Sequence, residues 1–201
     1  MKEVRKLLSC VLMMTLLLSG CKGGGENSPE EAALALRDTY QDLAGWSATV
    51  DITAEVGDKV FDFTLETSWQ KEGETVLTIT APELLAGITA RIADGETVLE
   101  YDGAGLSLGL LDGKGLTAVS VVPWVMDQIG GGYMAKCAWA GKEKTLLEIT
   151  FRDPEAKANT GTEYRITFDR ETLALNEAEV SVDGATVLTA AFRNFTMIPQ
   201  S

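Results

Sequence analysis

The chain has 201 residues, 17 Lys+Arg against 30 Asp+Glu, a formal net charge of -13 and no histidine. With 45% hydrophobic residues it is not a disordered chain, and its length suits one domain or a small pair. The missing histidine removes Ser-His-Asp and Cys-His nucleophile systems and the common His-bearing zinc sites, and the acidic balance argues against a nucleic-acid partner.

Residues 1–20 read as an export signal and are set aside from the fold. Lys2, Arg5 and Lys6 form a basic start, and Leu7 to Leu18 is an apolar run too short for a transmembrane helix. Leu18-Ser19-Gly20-Cys21 follows and resembles the lipobox of bacterial lipoproteins. In that family the signal is cut before the cysteine, which is acylated on sulfur and becomes the new N-terminus. Small residues at 19 and 20 suit a narrow peptidase cleft, and only a thiol offers the soft nucleophile for lipid transfer. One acyl chain holds a bilayer weakly, at about 0.8 kcal/mol per buried CH2, whereas the two or more carried by a lipoprotein cysteine keep it there. Residues 21–28 are therefore expected to be the lipidated Cys21 and a tether whose Lys22-Gly23-Gly24-Gly25 is flexible. Losing the basic signal makes the remaining chain more acidic still, so it should stand off an anionic membrane surface.

Cys10 leaves with the signal and Cys21 is acylated, which leaves Cys137 without a disulfide partner within the chain. Cys137 alternates with Tyr133 and Trp139 and reads as a buried small apolar side chain rather than a reactive thiol.

Residues 29–201 read as one domain. Ser28-Pro29-Glu30-Glu31 is a helix start with Ser28 as N-cap and Glu31 completing a capping box. Ala33, Leu36, Tyr40 and Leu43 recur at helical spacing, and Gly45 is the expected stop, giving a helix over 29–44. From Trp46 the period changes to two. Ala48, Val50, Ile52, Ala54 and Val56 alternate with polar partners, Gly57-Asp58 turns the chain, and Phe61, Phe63, Leu65 and Trp69 alternate back. Further strands are predicted at 76–81, around Ile88, Ala90 and Ile92, at 98–101, and around Leu106, Leu108 and Leu110. Residues 116–129 break the pattern: Pro123 is expected to open a short helix stopped by Gly130-Gly131-Gly132. Strands resume at 133–139, at 145–151, around Tyr164, Ile166 and Phe168, around Ala178, Val180 and Val182, and around Leu188, Ala190 and Phe192. About eleven strands joined by tight turns predict an antiparallel meander. The fold class is mainly β within α+β: a sheet this long must curl, into an incompletely closed barrel with helices on its concave side, a flat two-sheet sandwich being the alternative.

Ile92-Ala93-Asp94-Gly95-Glu96-Thr97-Val98-Leu99-Glu100-Tyr101-Asp102 is similar to a strand, Asp-Gly turn, strand segment of the LolA/LolB lipoprotein-carrier superfamily, and Thr80-Ala81-Pro82 is similar to its strand-then-Pro bend. With the single helix, the mid-chain helical interruption and Cys21, the pattern over 29–197 resembles that superfamily, which also holds lipid-binding mycobacterial lipoproteins and germination lipoproteins of spore formers. The resemblance implies an open barrel around an apolar cavity that takes acyl chains, with helices as a lid. An acylated protein cannot leave its membrane as a shuttle does, so the anchored branches are the better match.

A lipid site needs a continuous apolar lining, because an acyl chain gives up about 0.8 kcal/mol per CH2 on leaving the bilayer. The candidates are Phe61, Phe63, Leu65, Trp69, Leu77, Ile79, Ile88, Ile92, Leu99, Tyr101, Trp124, Met126 and Ile129. For any single one of them plain core is the favoured reading, and one sequence does not give the volume left between them. No catalytic, cofactor or metal site is expected. Glu30/Glu31 and Glu72/Glu74 sit at a helix start and a turn, Asp94, Asp102 and Asp112 each precede a turn glycine, and Gly130-Gly131-Gly132 lacks the Lys-Ser/Thr of a phosphate loop. Two functions follow. One is a non-enzymatic, extracytoplasmic lipoprotein binding a lipid, acyl chain or lipoprotein. The other is a scaffold lipoprotein whose outer surface docks an envelope or spore protein.

Overall fold

A computed structural model describes residues 28–94, 96–110 and 120–200. The signal, Cys21, the tether at 22–27 and Asp112 lie outside the described residues.

Helix α1 spans Pro29–Gln41. The capping box forms: the Glu31 amide donates to Ser28 Oγ at 3.2 Å and the Ser28 amide donates to Glu31 Oε2 at 3.1 Å. Ala33, Leu36 and Tyr40 make its buried face. The helix stops at Asp42, short of the expected residue 44, and β1 begins at once at Leu43. Gly45 is therefore a strand residue, and its role is close approach rather than helix termination. A Cβ there would stand 2.6 Å from the Trp69 carbonyl oxygen across the strand pair.

Eleven strands follow: β1 (Leu43–Val56), β2 (Lys59–Gln70), β3 (Thr75–Ala81), β4 (Thr89–Ala93), β5 (Glu96–Tyr101), β6 (Ala104–Leu110), β7 (Met134–Ala140), β8 (Leu146–Arg152), β9 (Thr162–Asp169), β10 (Leu175–Val182) and β11 (Ala185–Pro199). Helix α2 (Val121–Gly131) separates β6 from β7. Pro123, expected as its opening residue, is the third, because Val121 and Val122 already join the helix and are fully buried.

All strand pairs are antiparallel in a single sheet of order β6-β5-β4-β3-β2-β1-β11-β10-β9-β8-β7. The first and last strands meet in the middle, so the sheet is open between β6 and β7, and α2 belongs to the connection between those two edges. Alternation sends Val50, Ile52, Leu65, Leu77, Ile149, Ile166, Val180 and Ala190 to one face, where they join Ala33, Leu36, Val121, Val122, Val125 and Ile129 of the helices in one core. The other face carries cross-strand ion pairs, among them Arg152–Glu163 and Arg193–Asp51. This single open sheet with helices against one face is the mainly β, incompletely closed fold class expected from the sequence, and not the flat two-sheet sandwich.

Candidate functional site

The Gly57-Asp58 turn sets the register of β1 against β2, placing Trp46 opposite Trp69, and Trp69 in turn lies opposite Thr75 of β3. This inward-facing row crosses one end of the sheet. Helix α2 lies over it with Pro123, Met126, Asp127 and Gly130, spaced as one helical face. Its core face, Val121, Val122, Val125 and Ile129, points elsewhere and is fully buried. Tyr40, near the end of α1, completes the wall. Between these residues is a pocket of about 350 Å³ lined by Tyr40, Trp46, Trp69, Thr75, Pro123, Met126, Asp127 and Gly130.

The walls are held from behind. Tyr40 and Trp46 both stack on Phe195, each with ring centroids 6.0 Å apart, and Tyr40 meets Phe168 edge-on at 5.7 Å. The Tyr40 hydroxyl donates to the Leu173 carbonyl at 2.8 Å, and burial pushes its phenol pKa well up, so it stays neutral. Helix α1 also fixes the end of α2. Arg37 donates through Nε to the Ile129 carbonyl at 2.9 Å and through Nη2 to the Gly132 carbonyl, and Gln41 Nε2 donates to the Gly130 carbonyl at 2.7 Å. These carbonyls are among those that a helix C-terminus leaves without an intrahelical donor.

Of the thirteen lining candidates, the structure brings Trp69 and Met126 together in this pocket. Leu65, Leu77, Ile79 and Ile129 lie inside the core, and Phe63, Ile88, Ile92 and Leu99 are half-buried against it. Trp124 is half-buried on α2. Phe61 and Tyr101 are 41% and 55% exposed. The sequence reading did not single out Tyr40, Trp46, Thr75, Pro123, Asp127 or Gly130 as lining. Two signals pointed to some of them: the register counted back from Gly57-Asp58, which pairs Trp46 with Trp69, and the helical spacing of 123, 126, 127 and 130.

Cys137 is half-buried, and its thiol pKa is pushed up by burial first and Glu30 second, with Arg37 opposing. Among the described residues no cluster of three or more His, Cys, Asp or Glu side chains could hold a metal ion, and no helix is long and apolar enough to cross a membrane.

No family model and no curated protein matches the chain. Solved structures do. An uncharacterized conserved protein from Thermus thermophilus has 9% identity, with 87% of this chain and 90% of that one covered, at a TM-score of 0.51. A chain in the structure of the CwlD amidase from Clostridioides difficile in complex with the GerS lipoprotein has 12% identity, with 86% and 97% covered, at 0.45. A LolA superfamily protein from Nitrosomonas europaea has 10% identity, with 84% and 94% covered, at 0.42. At these identities the likeness is one of fold alone.

Proposed function

We propose that this protein is an extracytoplasmic lipoprotein, anchored through Cys21, whose LolA-like domain binds an acyl chain in the pocket between α2 and the β1–β3 end of the sheet. The ligand is a lipid or an acylated protein, and the domain acts by binding rather than by catalysis. The observation that carries this reading is the pocket itself. Its volume of about 350 Å³ falls at the lower end of the ~300–1,000 Å³ span of ligand sites. Most of its wall is two tryptophans, a tyrosine, a proline and a methionine, beside Thr75, Asp127 and Gly130. Each CH2 they cover is worth about 0.8 kcal/mol, close to what it loses on leaving a bilayer, so exchange between membrane and protein is nearly balanced.

Gly130 supplies a clean test. A Cβ at Gly130, a residue that lines the pocket, meets nothing within 4 Å, so Gly130→Leu adds a side chain at a position with open space around it. Replacing a helical glycine also raises helix stability by up to about 1 kcal/mol. Native mass spectrometry of protein lacking the signal and Cys21, incubated with phospholipid vesicles, should show a bound lipid that Gly130→Leu loses while its melting temperature holds or rises. A lipid adduct that persists in Gly130→Leu, or none on the unaltered domain, refutes the reading.

One observation favours a scaffold that docks a protein, but through the inward side of the sheet rather than the outer surface. Phe61, Tyr101 and Leu106 share the inward side of β2, β5 and β6 yet stay 41%, 55% and 61% exposed.

A further inference from the structure

We infer that the pocket selects a ligand whose head is a cationic, alkylated ammonium group. The inference rests on the reading of this pocket as the ligand site and adds the chemistry of the head. Three aromatic residues, Tyr40, Trp46 and Trp69, and one carboxylate, Asp127, line the same space, and no lysine or arginine is among the lining residues. An aromatic ring presents a negative face to a cation within about 6 Å, and a set of such rings is how quaternary ammonium groups are recognised. Trp46 and Trp69 are adjacent because they are register partners, and Trp46 and Tyr40 are both backed by Phe195 on one side. The walls are thus set before a ligand arrives.

Two donors of α1 that an anionic head could use are committed elsewhere. The Tyr40 hydroxyl donates to the Leu173 carbonyl, and Arg37 donates to the Ile129 and Gly132 carbonyls. A carboxylate or phosphate entering beside exposed Asp127 meets a like charge in an already acidic protein of net charge -13. A compact, strongly hydrated ammonium would have to shed its water at an apolar wall. An alkylated ammonium spreads its charge over methyl groups, so the rings take its surface and Asp127 takes its charge.

The test uses protein lacking the signal and Cys21, with dodecyltrimethylammonium, dodecanoate and uncharged dodecyl maltoside below their micelle concentrations, and choline as the head alone. Calorimetry and tryptophan fluorescence are the readouts, since two of the four tryptophans wall the pocket. The cationic probe should bind about tenfold or more tighter than the other two chains, a gap equivalent to a strong cation–π contribution. Asp127→Asn, at an exposed position, should cut that preference by about three- to tenfold and leave dodecyl maltoside unchanged. Asp58→Asn, in the β1–β2 turn at the far end of the hairpin, removes the same charge and should leave the preference intact. Trp69→Leu should reduce the preference while chain binding persists.

Equal affinity for the three probes, or equal loss in Asp127→Asn and Asp58→Asn, overturns the inference and leaves chain binding standing. Failure of every probe to bind overturns both. Binding of choline and the cationic probe without the maltoside supports the cation site and defeats the acyl-chain reading.

Discussion

Asp169 illustrates how single side chains close this chain's turns. After β9 its Oδ1 accepts from the Glu171 amide at 3.1 Å, the Thr172 amide at 2.7 Å and the Thr172 hydroxyl at 2.8 Å. The Thr172 amide, then its hydroxyl, hold the carboxyl below its ordinary value. A carboxylate with a depressed folded pKa contributes stability above its unfolded pKa of about 3.9, and that contribution is lost as pH falls through the folded value. Asp169→Asn should therefore lower the urea midpoint at pH 7, with the gap narrowing below about pH 4 as the native carboxyl gains its proton. Midpoints at pH 7, 4 and 3 check this, and a pH-independent gap contradicts it. Such detail is partly legible in sequence: Asp-x-x-Thr before Leu175 marks a turn, but which oxygen takes three donors is set by the backbone around it.

At the scale of elements, the informative contact is α1 against α2. Arg37 and Gln41, one helical turn apart, donate to three carbonyls at the C-terminal end of α2. A cation there also meets the negative end of the helix dipole. Arg37→Ala leaves part-buried carbonyls without donors and should cost about 1.5–3 kcal/mol in denaturant unfolding, as charged hydrogen bonds do. It should also loosen the face of α2 that walls the pocket, so bound probe should dissociate faster. A variant with unchanged midpoint and unchanged off-rate would show that the clamp is idle. The start of α1 was readable because Ser28, Pro29 and Glu31 are a local signal. Its end was misplaced because Gly45 looks like a helix stop, whereas its real constraint is the Trp69 carbonyl 2.6 Å from where a Cβ would be. That carbonyl belongs to the neighbouring strand and leaves no trace in the sequence near Gly45.

For the whole molecule, the sheet is joined between β1 and β11 and open between β6 and β7. The connection across the opening carries α2 and, with it, one wall of the pocket. The anchor proposed at Cys21 precedes α1 by few residues, so it would hold the domain near a membrane. Cys21→Ser, expressed as the full chain, should lose incorporated acyl label and accumulate as a larger, uncut precursor. Labelling and processing identical to the unaltered chain would remove the anchor from the account. Two acyl chains hold a protein where one does not, so a monoacylated form should partition partly into the soluble fraction.

Alternation with period two is a local property, enforced by which side of a pleated strand meets water, so eleven strands, their inward faces and the capped start of α1 could be read from the chain alone. The Gly57-Asp58 turn even carried the pairing of Trp46 with Trp69. Which inward residues would be swallowed by core and which would face a space was not local. Leu65 and Trp69 stand on one strand with the same periodicity, yet one is packed beneath the helices and the other walls a pocket. The difference is where α2 comes to rest, and that is decided by Arg37, Gln41 and the buried valines acting across the fold.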